Sequence, residues 1–139
     1  MNVIDKDFIS KLLGDVEEAI NIISQHILKP FKNLTRPERS EIRYYIIVLA
    51  EALTAIGYHI VRKFYSIKPE TPIHSFRILV EKDLMTESEF NDIVMLLKLR
   101  NLLVHRYWVI DDKRIYNEAK KNFKNIITFI ERIRDVFEI

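Results

Sequence analysis

Residues 86–105 read TESEFNDIVMLLKLRNLLVH, and this stretch decides the fold because it joins a helix start signal to a helical apolar pattern. Thr86 and Glu89 form a Thr-x-x-Glu capping box, which is typical of a helix N-terminus. At 100° per residue, one apolar stripe about 100° wide collects Phe90, Ile93, Val94, Leu97 and Val104. The stretch therefore predicts a helix that starts at the capping box, ends near His105 and turns one face towards a core.

Three polar side chains fall on this stripe near its end: Asn101 in the middle, Arg100 on one margin and His105 on the other. A buried polar group without a partner costs about 1–3 kcal/mol, so such a cluster indicates a functional site. Asn101 and His105 are four residues apart and share a face. Arg100 aligns with Tyr107 but diverges from His105 by about 140°. We therefore expect two copies of the helix, meeting at a dimer cleft, to assemble the complete site.

The opposite side of the same helix is also apolar, through Met95, Leu96, Leu99, Leu102 and Leu103. A helix that is apolar nearly all round is buried nearly all round. This predicts a second contact surface, most simply a homodimer. The alternative is that the fifth helix and the N-terminal helix cover this side within one chain.

The rest of the chain predicts four more helices with short connections. The first runs from about Asp5 to Ile27, and the second runs from a Thr35–Glu38 capping box to about Phe64. A short third helix covers about 73–81. A fifth runs from the N-caps Asp111 and Asp112 nearly to the C-terminus. Its predicted inward residues are Ile115, Ala119, Phe123, Ile126, Ile127, Ile130 and Ile133. We predict an all-α fold, an up-and-down four-helix bundle with one additional short helix, as a single domain over residues 1–139.

Composition narrows the functional classes. The chain has 139 residues, a net charge of +2 and no cysteine, which excludes disulfides, thiolate metal sites and cysteine nucleophiles. The charge is too small to indicate nucleic-acid binding by itself. No run of 18 uninterrupted apolar residues and no secretory signal is present, so we expect a cytoplasmic protein without a membrane segment. The histidines show no metal-binding spacing; they are His26, His59, His74 and His105. No glycine-rich phosphate loop is present, because Gly14 and Gly57 stand alone.

The segment from Arg100 to Tyr107 forms an Arg-x4-His-x-Tyr motif, with Asn101 directly after the arginine. This motif resembles the signature of the HEPN superfamily, and more narrowly that of the HepT-like toxins, formerly described as DUF86. The helix order, the capped fourth helix and an Asp112-x-x-x-Tyr116 start to the last helix fit the same resemblance, which covers about residues 5–135.

The resemblance implies a toxin of a two-gene toxin–antitoxin module, a homodimer whose two motifs meet in a basic cleft. It implies a metal-independent endoribonuclease without a cofactor. It also implies a minimal nucleotidyltransferase (MNT) antitoxin as partner, able to neutralise the toxin by AMP transfer to Tyr107.

RNA can be cut without a metal because its 2′-OH is an internal nucleophile. His105 suits a general base or acid, since histidine exchanges protons near neutral pH. Arg100 suits a phosphate clamp, because a guanidinium is always charged and binds two oxygens at once. Asn101 would orient His105 or bind phosphate, and Tyr107 would position the substrate or stack on a base.

Each assignment has a structural alternative. His105 can serve as a partner of the helix dipole, Arg100 can pair with Glu51 or Glu81, and Tyr107 with Trp108 can cap the core. The basic residues that follow the motif line either the cleft or a solvated helix face; they are Arg106, Lys113, Arg114, Lys120, Lys121 and Lys124. Two other functions stay open at this point. One is a non-catalytic HEPN subunit that docks a nucleotidyltransferase and presents Tyr107, and the other binds nucleotide or RNA without cleavage.

Overall fold

The computed structural model describes residues 3–121 and 123–139, and within them the chain is all-α, as predicted. Two 3-10 turns, at Phe31–Asn33 and Tyr107–Val109, lie between helices. The helices are α1 Lys6–His26, α2 Arg36–Lys63, α3 Pro72–Glu81, α4 Glu87–His105, α5 Asp112–Lys120 and α6 Lys124–Phe137.

Side-chain caps define the helix starts, and both predicted capping boxes are present. The Thr35 hydroxyl accepts from the Glu38 N–H, and the Glu38 carboxylate accepts from the Thr35 N–H at 2.8 Å. Thr86 and Glu89 do the same at the start of α4. A hydrogen bond from Lys29, together with that from the Thr35 N–H, lowers the pKa of Glu38 to about 2. These local signals are why the predicted starts of α2 and α4 agree with the structure.

Helix α2 is the central element, because it contacts α1, α3, α4 and α5. By length and composition alone it is apolar enough to cross a membrane, and half of its most apolar window is buried inside the bundle. Core helices of bundles meet the same criterion. Gly57 lies where α2 meets α3, and a Cβ placed there would come within 2.8 Å of the Phe76 ring. The small residue therefore lets α3 approach α2 closely.

The predicted fifth helix is wrong in its length, because the chain leaves the helical conformation after Lys120. Lys121 has an extended backbone, with ψ at 139°, and α6 begins only at Lys124. Residue 122 lies outside the described residues. Both helices contact α1, but the break lets α5 pack against α2 while α6 packs against α4, which one straight helix would not do. Ile127, predicted to face inward, is 37% exposed, because the buried face of α6 is formed by Ile126, Phe129, Ile130 and Ile133.

The predicted core stripe of α4 is also partly wrong. Asn101 and Val104 are exposed, whereas Leu96, Leu99 and Leu103 are buried within the single chain. Helix α4 lies between two layers: Leu97 faces a cavity shared with α2 and α3, and Leu96 with Leu99 faces one shared with α5 and α6. Of the two helices named in the single-chain alternative, the C-terminal one contacts α4 and lies beside Leu96 and Leu99. Their apolar character does not by itself indicate a second copy.

Candidate functional site

Arg100 lies in the penultimate turn of α4, where it reaches across to α2. Its Nε donates to Glu51 Oε1 at 2.5 Å, and its NH1 donates to the side-chain oxygen of neighbouring Asn101 at 3.1 Å. Of the two carboxylates predicted as alternative partners, the structure selects Glu51. This pair is only partly buried, since the side chains of Arg100 and Glu51 are 27% and 53% exposed. The guanidinium is therefore held in place and still open to solvent.

A cavity of about 250 Å³ opens beside this pair. Helices α2, α3 and α4 and the N-cap of α3 form its wall, with Glu51, Thr54, Thr71, Pro72, Leu97, Arg100 and Asn101 among its lining residues. Sequence reasoning did not find Thr54 or Thr71 as part of this site. No local signal marks them, because they reach the cavity only when three separate elements pack together.

His105 is the last residue of α4 and is exposed. Its imidazole forms no hydrogen bond with the described part of the chain. Asn101 lies one turn before it, on the neighbouring surface, but the Asn101 amide oxygen faces Arg100 rather than His105. The structure thus brings Arg100 and Asn101 together through a direct contact, and it records no contact that joins either of them to the imidazole.

The chain turns sharply after the motif histidine. The Arg106 N–H bonds to the Leu102 carbonyl and ends α4, and the Tyr107–Val109 turn follows. The Tyr107 side chain lies outside the described part of the structure, so its predicted roles stay predictions. Trp108 is 66% exposed, so the alternative that it caps the core is wrong. With Val104 and Val109, it leaves apolar surface next to the motif.

The Asp112 and Tyr116 side chains of the Asp112-x-x-x-Tyr116 pattern make contacts between parts of the fold. Asp112 forms an ion pair with Arg43 of α2. The Tyr116 hydroxyl donates to the Lys29 carbonyl at 2.5 Å. Together they attach α5 to α2 and to the segment after α1, and so fix the chain just beyond the motif.

The six basic residues that follow the motif are all exposed, which agrees with either of their two interpretations: Arg106, Lys113, Arg114, Lys120, Lys121 and Lys124. A further cavity of about 420 Å³ lies on the other side of α4, between Met95 and Phe123, and contains no motif residue. Within residues 3–121 and 123–139, no group of three or more His, Asp or Glu side chains is placed to hold a metal ion.

A helical bundle whose fourth helix ends in an Arg-x4-His-x-Tyr motif is a protein of the HEPN class. The family model described as ribonuclease HepT-like matches residues 16–133. This chain therefore belongs to the HepT-like family, as the sequence motif predicted. A comparison with curated proteins finds no match.

Three solved structures share the fold. The cytosolic protein of unknown function YutE from Bacillus subtilis superposes with a TM-score of 0.87 at 22% identity, over 99% of this chain and 94% of that one. A tri-AMPylated HEPN toxin of Shewanella oneidensis, in complex with MNT antitoxin, gives 0.82 at 20% identity, over 93% and 98%. A mutant of the toxin–antitoxin pair MntA-HpeT gives 0.80 at 21% identity, over 93% and 98%.

Proposed function

We propose that this protein is the toxin of a two-gene toxin–antitoxin module and acts as an endoribonuclease without a metal ion. The observation that carries the proposal is the end of α4, where a partly exposed, positioned Arg100 and an exposed His105 occupy the motif positions of a HepT-like ribonuclease. Cleavage of RNA through its 2′-OH needs proton transfer and a positive charge at the phosphate, and these two side chains can supply them.

In the proposed reaction, a base removes the proton of the 2′-OH, whose oxygen attacks the adjacent phosphorus. The bond from phosphorus to the 5′-oxygen breaks, and an acid protonates that oxygen. The products carry a 2′,3′-cyclic phosphate, which can open to a 3′-phosphate, and a 5′-OH. His105 takes the role of base or acid, while Arg100 stabilises the charge on the phosphorane.

Asn101 and Tyr107 are the proposed supporting residues. Asn101 holds the guanidinium through its amide oxygen, which favours a role on the phosphate side over a role in orienting His105. Tyr107 lies two residues after His105 in the sequence and is proposed to position or stack on the substrate.

A homodimer is part of the proposal, because Arg100 points towards α2 while His105 lies at the exposed end of α4. A second copy would supply the missing group to each half-site. The exposed side chains of Val104, Trp108 and Val109 beside the motif support such a contact, since apolar surface next to a functional group favours an interface.

The test is to incubate purified protein with RNA in the presence of a chelator, beside a His105→Ala variant. A His26→Ala variant is the control, because His26 lies on α1 and pairs with Glu41, and neither residue belongs to the motif. We expect cleavage by wild type and by the control, and a loss of at least a hundredfold in His105→Ala. Equal cleavage by all three proteins, or by none, contradicts the proposal.

The second candidate is a non-catalytic subunit that binds an MNT-type nucleotidyltransferase antitoxin. It is favoured by the fold shared with an AMPylated HEPN toxin in complex with MNT antitoxin. In this reaction the Tyr107 oxygen attacks the α-phosphorus of ATP and pyrophosphate leaves. Mass spectrometry after co-expression with the adjacent gene tests it, with Tyr107→Phe as the variant and Tyr58→Phe, an exposed tyrosine on α2, as its control. AMP on wild type and on Tyr58→Phe, but not on Tyr107→Phe, supports modification.

The remaining candidate is a protein that binds RNA without cleaving it, and a binding assay on the uncut RNA would detect its affinity.

A cytoplasmic location is proposed with either function. It is supported by the shared fold with a protein described as cytosolic.

A further inference from the structure

The Arg100 guanidinium is fixed by two side chains, and one of them comes from a different helix. A guanidinium has five N–H hydrogens. Glu51 takes the one on Nε and Asn101 takes one on NH1, which leaves three for an external ligand. Glu51 thus binds the guanidinium at Nε, and the two terminal nitrogens, NH1 and NH2, each keep at least one hydrogen to donate.

We infer that Glu51 is a positioning residue for the proposed reaction, one that acts through Arg100 and does not itself bind RNA. The inference rests on the proposed function for its catalytic consequence. Its structural basis is the 2.5 Å contact between Glu51 Oε1 and Arg100 Nε.

Fold stability alone gives little reason for this pair. With the two side chains 27% and 53% exposed, water screens the attraction, and exposed ion pairs add little to stability. Positioning offers a stronger reason, because a long arginine side chain that is already ordered loses less conformational freedom when it binds a phosphate. Small displacements of a charge-stabilising group reduce the rate strongly.

The negative charge of Glu51 also gives the pair a distinct kinetic signature. A carboxylate beside a phosphate-binding arginine opposes the binding of RNA in the ground state. Its removal should therefore leave KM unchanged or lower it, while the loss of geometry lowers kcat. A side chain that merely stabilises the fold would not separate these two parameters in this way.

The experiment compares Glu51→Ala, Glu51→Gln and a matched control, Glu17→Ala. Glu17 pairs with Arg134 at 2.6 Å with exposures of 52% and 30%, so its pair matches the Glu51 pair in length and exposure but lies away from the motif. We expect kcat on RNA to fall about tenfold in Glu51→Ala. It should stay within about threefold of wild type in Glu51→Gln, because the amide oxygen still accepts from Nε, and should not change in Glu17→Ala. In an Arg100→Lys background, Glu51→Ala should cause no further loss.

A second readout does not depend on activity, and its first comparison needs only the wild-type protein. Hydrogen exchange of the arginine Nε–H groups, followed by NMR in the wild-type protein, should be slower for Arg100 than for exposed Arg114. In Glu51→Ala the two rates should become similar. Equal exchange rates for Arg100 and Arg114 in the wild-type protein overturn the inference. Equal changes of kcat in Glu51→Ala and Glu17→Ala also overturn it.

The two proposals fail separately. A wild-type protein that does not cut RNA but shows a protected Arg100 Nε–H, lost in Glu51→Ala, contradicts the proposed function and supports the positioning role. If the wild-type protein and Glu51→Ala cut RNA at the same rate, the positioning role is overturned and the proposed function stays intact.

Discussion

Substitution of Arg132 by Met removes a bidentate ion pair between α6 and α4. The Arg132 guanidinium donates to both carboxylate oxygens of Glu89, at 2.5 and 2.9 Å, and NH1 also donates to the Leu84 carbonyl at 3.2 Å. Glu89 is 2% exposed. Hydrogen bonding to Glu89 raises the pKa of Arg132 above its ordinary value, so the arginine keeps its charge at every working pH. Arg132→Met therefore leaves a buried carboxylate without its counter-ion.

Removal of one partner of a buried pair costs about 3–5 kcal/mol. We expect the lower end, about 3 kcal/mol, because the Arg132 side chain is 28% exposed and water can partly replace it. At about 2.1 cal/mol/K per residue, the entropy of unfolding for 139 residues is about 0.3 kcal/mol/K, so Tm should fall by about 10 °C. Chemical denaturation and calorimetry measure the two quantities.

Arg134→Met is the matched control, since Arg134 makes its ion pair with Glu17, which is 52% exposed. Its expected cost is at most about 1 kcal/mol. Adding Glu89→Gln to Arg132→Met should recover part of the stability, because an unpaired amide is less costly to bury than an unpaired charge. Equal losses in Arg132→Met and Arg134→Met would refute the reasoning that burial of Glu89 sets the magnitude.

Three further changes test the packing and the pH response. Gly14→Ala should stabilise the protein by about 1 kcal/mol, because Gly14 is helical and a Cβ there meets nothing within 4 Å. Gly57→Ala should destabilise it by about 1–2 kcal/mol, since the 2.8 Å approach to the Phe76 ring outweighs the gain in helix propensity; a stabilised variant in urea unfolding would contradict this. Burial lowers the pKa of His59, whose Nε2 accepts from the Asp5 N–H. The folded state therefore binds fewer protons, so the contribution of His59 to stability is complete above about pH 6.5 and is lost as pH falls towards the lowered value. A His59→Gln variant should show a weaker decrease in Tm between pH 7 and 5 than wild type.

The helix starts could be predicted from the sequence because their signals are local. The capping boxes of Thr35 and Thr86 need residues only three positions apart, and both are present in the structure. The break after Lys120 carries no such signal. Apolar residues continue at helical spacing through Phe123. The break accompanies a change of packing partner, from α2 for α5 to α4 for α6, while both helices contact α1.

The candidate site could be predicted only in part, for a related reason. Arg100 and His105 were identified by spacing within one helix and by resemblance to a family. Glu51 was one of two possible partners, 49 positions away from Arg100 in sequence, and only packing of α2 against α4 distinguishes it from Glu81. The exposure of Asn101 was missed because an ideal helical projection fixes angles but not which neighbouring helices cover each side.

The most direct test of the central claim uses an RNA with one 2′-deoxy nucleotide, placed immediately 5′ of a mapped cleavage site. If the 2′-OH is the nucleophile, the unmodified RNA is cut there in the presence of a chelator, with a 2′,3′-cyclic phosphate and a 5′-OH as its ends. The modified RNA then stays intact at that position and is still cut elsewhere. Cleavage of the modified position at the same rate, or products with 5′-phosphate ends, would contradict the account.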